Sequence, residues 1–200
     1  MKFKLIVIFF IIFISKNLYS GETSEWLKRE IDIILEAYKN QNLSNENRFL
    51  LIEKTINNNF AGTGIAKFVA GEAWKKSDKN TKKIYIDNFK RHLALNIASM
   101  MQGYSDQTYE LTKSKYDKKN QVTLIDMEIF SDTGSVVVTW RVKESKDKFF
   151  VIDLIVADIS LVVTKRSEFN SLLKSVDYNL EKFNQILLDQ NNESYSKIIN

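Results

Sequence analysis

Ile125-Asp126-Met127-Glu128-Ile129-Phe130-Ser131-Asp132-Thr133-Gly134-Ser135-Val136-Val137-Val138-Thr139-Trp140-Arg141-Val142-Lys143 is the stretch that decides the fold. Ile125, Met127 and Ile129 alternate with Asp126 and Glu128, which predicts a strand with one dry and one wet face. Val136, Val138, Trp140 and Val142 repeat that pattern against Ser135, Thr139, Arg141 and Lys143, and Asp132-Thr133-Gly134 between the two runs is a hairpin turn signal. Working outward, Thr108 to Leu111 predicts a strand before the hairpin, with a charged turn over Lys115 to Asn120. Phe149 to Ala157 is apolar on both parities apart from Asp153, which predicts a strand covered on both faces. Ile159, Leu161 and Val163 read as a last short strand.

Upstream of Gly103 the period is that of a helix. Apolar residues recur every three or four positions from Trp26 through Leu27, Ile31, Ile34, Leu35 and Tyr38. Ser44 is placed to cap a second helix carrying Phe49, Ile52, Ile56 and Phe60. Gly62 and Gly64 bracket a turn, and a third helix runs through Ile65, Phe68, Val69 and Ala73 to Trp74. Asp78 caps the fourth and longest, with the stripe Tyr85, Phe89, Leu93, Ile97, Met100 and Tyr104 and basic flanks at Lys82, Lys83, Lys90 and Arg91. After the strands come helices through Phe169, Leu172, Leu173 and Val176, then Leu180, Phe183 and Leu187. Helices first and a meander second is an α+β order, with helices packed on an antiparallel sheet.

The first twenty residues read as a secretory signal peptide. Lys2 and Lys4 precede the apolar run Leu5 to Ile14, and Leu18-Tyr19-Ser20 lies ahead of Gly21. Ten apolar residues span only about 15 Å as a helix, half a bilayer core. The expected division is therefore a signal peptide over 1–20, one domain over 21–190 and a polar tail over 191–200. The 200-residue chain carries 29 Lys and Arg against 25 Asp and Glu. Removing residues 1–20 takes away three lysines and leaves a net charge of +1, too little for a nucleic-acid binder. With no cysteine in the chain, disulfides, a thiol nucleophile and cysteine metal sites are excluded. An exported chain without disulfides is expected in a periplasm, as a monomer.

Catalytic motifs are sparse. His92 is the only histidine, and a lone imidazole with no positioned partner supports neither a triad nor a metal site. No Gly-x-Ser-x-Gly occurs, and Gly62-Thr63-Gly64 lacks the third glycine and the preceding strand of a phosphate loop. Asp126 and Glu128 read as the solvated side of an amphipathic strand. Asp153 sits in an apolar run where an unpaired charge is costly. Either it faces a partner such as Arg141 on the next strand, or it is a pocket acid with a raised pKa. What remains is a supply of large, flexible apolar side chains, which fill any core of this kind.

Several stretches together resemble one family. Phe68-Val69-Ala70-Gly71-Glu72-Ala73-Trp74-Lys75-Lys76-Ser77, followed by Tyr85-Ile86-Asp87-Asn88-Phe89 and a later Tyr104, is similar to the MlaC, or toluene-tolerance, family. Val138-Thr139-Trp140-Arg141, Val151-Ile152-Asp153-Leu154 and the run Ile159 to Phe169 resemble its later strands and its entry into the C-terminal helix. The likeness is collinear from Trp26 to Leu188. Asp158-Ile159-Ser160 departs from the family's usual Gly-Val-Ser, and Phe149 stands where a Trp is usual. Aspartate at 158 disfavours a left-handed backbone there, so a different local turn is expected.

The resemblance implies helices set against a highly curved sheet, a cone of the NTF2-like kind, with an apolar cavity between them. It implies a periplasmic carrier that needs no cofactor and takes phospholipid as cargo. Its implied partners are an inner-membrane ABC transporter complex and an outer-membrane lipoprotein–porin complex, and its role is to maintain outer-membrane lipid asymmetry. Phe68, Phe89, Leu93, Ile97 and Met101 are then expected as one cavity wall, and Val138, Trp140, Ile152, Leu154 and Val163 as the other. Acyl chains gain about 0.8 kcal/mol per buried CH₂, so no polar chemistry is required to hold them. Two alternatives stay open: a pocket enzyme on the same cone using Asp153, and a ligand-free periplasmic adaptor.

Overall fold

The computed structural model describes residues 15–104 and 107–200, those of 15–20 by their backbone alone. The expected signal peptide thus lies largely outside the described residues. Helix α1 (Ser15–Lys39) is followed by α2 (Asn45–Asn59), α3 (Gly62–Ala70), α4 (Glu72–Lys76) and the long α5 (Lys79–Met101). Strands β1 (Thr108–Asp117), β2 (Val122–Ser131), β3 (Gly134–Ser145), β4 (Lys148–Val156) and β5 (Ile159–Ser160) come next, then α6 (Leu161–Ser175) and α7 (Leu180–Ile199). The five strands pair in chain order, each antiparallel to the last. This is the α+β architecture that the sequence order implies.

The caps explain where the helices begin. Ser44 accepts from the Asn47 N–H, and Asp78 accepts from Asn80 and Thr81, each satisfying amides that a helix start leaves free. Gly62 and Gly64 lie inside the first turn of α3 rather than bracketing a turn before it. The break falls instead at Gly71, whose φ of 54° and ψ of −115° only glycine adopts cheaply. That kink turns the chain from α3 into α4.

In β2, Val122, Ile125 and Met127 are buried while Asp126 and Glu128 are half-exposed. The two acids accept hydrogen bonds from Thr139 and Ser135 across the ladder, both at 2.6 Å. β1 runs on through Lys115 to Asp117, so the turn expected over Lys115 to Asn120 shrinks to its second half. Only Val151 and Asp153 of β4 are buried, so this strand is not covered on both faces. The turn after it is left-handed at both Ala157 (φ 48°) and Asp158 (φ 62°). The departure at position 158 therefore does not change the handedness, because aspartate is among the side chains that tolerate this region.

Two further expectations differ from the structure. Leu161 and Val163 belong to α6, not to a strand. Ser160 caps that helix by accepting from the Val163 N–H at 3.1 Å, and Val163 is 56 % exposed. Residues 191–199 form the last turns of α7 rather than a polar tail, with Asn191 and Ile198 buried.

The core divides into three clusters. One holds α3 to α7 together around Tyr85, Phe89, Phe169 and Phe183. A second joins α2, α5 and the end of α7 through Phe49, Ile52 and Leu95. The third sets Leu27 of α1 on Ile125, Val142 and Val151 of the sheet. Phe60, at the C-cap of α2, packs against all three, and its neighbour Ala61 donates to the Val151 carbonyl at 2.9 Å.

Candidate functional site

Where these clusters meet, a cleft of about 220 Å³ opens between helices and sheet. Phe89, Leu93, Ile97 and Met100 of α5 form one side, and Leu154 of β4 and Leu161 of α6 the other. Phe60 and Ile65 close its inner end, while Asn96, Lys165 and Glu168 supply a polar rim. The spacing of the α5 side chains is helical, so successive turns present one apolar stripe to the cleft.

Four of the ten residues expected at the site are brought together here: Phe89, Leu93, Ile97 and Leu154. The other six do not line this cleft. Met101 packs into the second cluster instead, while its neighbour Met100, 63 % exposed, takes the place at the mouth. Phe68 faces outward with the Arg166 guanidinium 4.4 Å above its ring. Trp140 packs in the sheet cluster, Val138 is half-buried on the same strand, and Val163 is exposed on α6. Ile152 faces a different cavity, beside Phe150 and Lys143.

A bulge separates Ile152 from Leu154. The β3–β4 register shifts between Arg141 and Val142, which pair with Asp153 and Val151 and leave Ile152 as the extra residue. Val151 and Leu154, three positions apart, consequently pack on the same cluster. Strict alternation forbids that, and an inserted residue permits it. Phe60 is legible as the last residue of the α2 stripe Phe49, Ile52 and Ile56, but helical spacing does not show that it reaches the cleft.

Asp153 is 5 % exposed and fully engaged. It accepts from Arg141 Nη1 at 3.4 Å, Ser160 Oγ at 2.7 Å, and the Leu154 and Val162 amides at 2.9 and 3.1 Å. The paired reading of this carboxylate holds: it ties β3 to β4 and both to the first turn of α6. His92 donates from Nδ1 to Asn191 Oδ1 at 3.3 Å. Burial first, then the nearby Lys165 charge, lower its pKa to about 4. Among the described residues no group of three His, Cys, Asp or Glu is placed to hold a metal.

The basic flank of α5 is only partly free. Arg91 pairs with Glu53 at 2.7 Å and stacks on Phe49 and Tyr195, and Lys82 lies over the Trp74 ring.

Residues 28–187 match the family of the MlaC protein. The chain belongs to the MlaC family. Among solved structures, it resembles a phospholipid-binding protein from Ralstonia solanacearum, determined in complex with a phospholipid at 1.53 Å. The two share 14 % identity and a TM-score of 0.72, over 88 % of this chain and 98 % of that one. That likeness establishes the shared fold of this MlaC-family chain. No curated protein matches the sequence.

Proposed function

We propose that this MlaC-family protein is a non-enzymatic phospholipid carrier that holds acyl chains in the cleft between α5, α6 and β4. The observation that carries the reading is the cleft itself: a largely apolar slot at the meeting point of three core clusters, with Asn96, Lys165 and Glu168 at its rim. In its wall are Thr164 and the buried Asp153, whose oxygens are already engaged by protein donors. Membership of the MlaC family and the phospholipid-bound neighbour of the same fold support it. Phe89, Leu93, Ile97 and Leu154 form the chain-binding wall, joined by Phe60, Met100 and Leu161. Asp153, with its acceptor oxygens committed to four donors, is a structural group and not a general base.

The export signal of residues 1–20 makes the carrier periplasmic, and no helix among the described residues is long and apolar enough to cross a membrane. In this setting the protein shuttles lipid between an outer-membrane lipoprotein–porin complex and an inner-membrane ABC transporter. The test is to export the protein, purify it without detergent, and identify bound molecules by native mass spectrometry and solvent extraction. Stoichiometric glycerophospholipid is expected. A ligand-free protein that also takes no lipid from vesicles refutes the carrier reading.

A further inference from the structure

The cleft between α5, α6 and β4 carries its free charges at one place. Asp153, Lys165 and Glu168 are the ionisable groups of its lining, and Arg141 already neutralises Asp153. That leaves one cation and one anion, paired with each other: Lys165 Nζ lies 2.5 Å from Glu168 Oε2. Both belong to α6, and Leu161, one turn before Lys165, is part of the apolar wall. The face that α6 turns to the cleft is therefore apolar at its start and charged on the next two turns. Asn96 of α5 stands on the opposite side. Its Nδ2 donates to the His92 carbonyl at 2.6 Å, which leaves Oδ1 as an acceptor without a partner. The Lys165 and Glu168 charges both act on the His92 ring, one turn back from Asn96, so the α6 pair and Asn96 border the same stretch of rim.

A lipid whose chains fill the apolar wall sets its headgroup at this rim. The phosphate of a glycerophospholipid then meets Lys165, the one cation of the lining. Accepting from Lys165 draws it away from Glu168 and leaves that carboxylate facing a second anion. A headgroup with no cation of its own leaves this repulsion uncompensated. A primary ammonium a short link beyond the phosphate removes it, because its N–H groups donate to Glu168 and to Asn96 Oδ1. A quaternary ammonium brings the charge but has no N–H to donate. Exposed ion pairs are held weakly, so a ligand carrying both charges exchanges with the Lys165–Glu168 pair at little cost.

We propose that Asn96, Lys165 and Glu168 form a headgroup filter that selects zwitterionic phospholipids of the ethanolamine class, with the phosphate on Lys165 and the ammonium on Glu168 and Asn96. The inference rests on the carrier reading and names the headgroup of that same cargo.

The test incubates the exported, purified protein with vesicles of equal parts phosphatidylethanolamine, phosphatidylcholine and phosphatidylglycerol, all with the same acyl chains. Lipid on the re-isolated protein is quantified by mass spectrometry. Ratios from one vesicle cancel any change in how often the protein meets the membrane. The wild type should hold the ethanolamine class over the glycerol class by about threefold, the size an exposed ion pair supplies, and over the choline class in the same direction. Glu168→Gln keeps the side chain's shape and should bring the ethanolamine-to-glycerol ratio back to that of the vesicle. Wild-type protein that takes either competitor in equal measure overturns the filter, and a preference that survives in Glu168→Gln overturns the part given to the α6 pair. Protein that takes no lipid of any class overturns the carrier reading, and the filter falls with it.

Discussion

Lowering the pH should weaken this protein through His92. The imidazole lies between α5, α6 and α7, with the Phe169 ring centre 5.3 Å away. Asn191 Nδ2 is committed to the Asn88 carbonyl at 2.9 Å, which leaves its Oδ1 to accept from His92 Nδ1. That assignment makes Nε2 the bare nitrogen, and it is buried with no partner. A second proton would enter an apolar site next to the Lys165 charge. Burial and Lys165 hold the pKa at about 4 against an ordinary 6.5, while the Asn191 contact and Glu168 act weakly the other way. Between these two values the unfolded chain binds the proton and the folded chain does not, so stability is full above about pH 6.5 and declines as pH falls. Linkage gives a loss from this group of about 2 kcal/mol between pH 8 and pH 5, and about 3 kcal/mol by pH 4. Urea unfolding of the wild type and of His92→Gln at pH 8, 6, 5 and 4 isolates this contribution, because the carboxylates titrate alike in both. The stability difference between the two proteins should shrink by about 2 kcal/mol from pH 8 to pH 5. A constant difference, or an imidazole NMR titration centred near 6.5 in the folded wild type, refutes the reasoning.

Leu154→Glu places a carboxylate in the cleft wall. Lipid co-purifying with the protein should fall at least tenfold by native mass spectrometry, while circular dichroism stays that of the wild type. Normal lipid content would remove Leu154 from the site. Phe60→Ala takes away the side chain common to all three clusters and should cost about 3 kcal/mol in urea unfolding, the low end for a phenylalanine because Phe60 is only half-buried; a cost under about 1 kcal/mol would deny it a joining role. Gly71→Ala forces a side chain onto a backbone with φ of 54° and ψ of −115° and should lower stability by about 1–3 kcal/mol, read as a drop in Tm, with the unchanged value as the contrary result.

The parts of this fold legible in the sequence are those written in one period. The α5 stripe and the β2–β3 hairpin follow from spacing of 3.6 and 2, and Ser44 and Asp78 announce their helices through local side-chain chemistry. What stayed hidden depends on partners far along the chain. Ile159, Leu161 and Val163 alternate as a strand would, yet Asp153 accepts from the Val162 amide at 3.1 Å and helps start a helix there. The bulge at Ile152 removes it from the wall that Leu154 keeps, and no residue type near it signals the shift. Residues 191–199 look solvated by composition. Asn191 is nevertheless fully buried, because its amide satisfies Asn88 and His92 on α5, a contact that hydrophobic patterning does not score. Met100 and Met101 differ by one position, about 100° around the helix, which the breadth of an apolar stripe leaves unresolved.

The size of the cleft connects its position to its use. At about 220 Å³ it is below the roughly 300–1,000 Å³ common for pockets that hold drug-sized ligands, and a two-tailed phospholipid is larger still. A carrier built this way must part its walls to load. Within the first cluster, interlocked rings resist such movement, with Phe89 against Phe169 and Phe169 against Phe183 at 5.9 and 5.0 Å. Along the cleft the side chains Leu93, Ile97 and Leu154 are only half-buried, and they give up fewer neighbours when the walls separate. The seam is therefore where opening costs least. It is also where each CH₂ of an entering chain returns about 0.8 kcal/mol. Asp153 holds α6 to the sheet on one side of that seam through three donors on α6 and its approach and on β3. That leaves the α5 side and Phe60 as the parts able to yield, and the proposed carrier function then puts cargo capacity in the junction between cores rather than in any one of them.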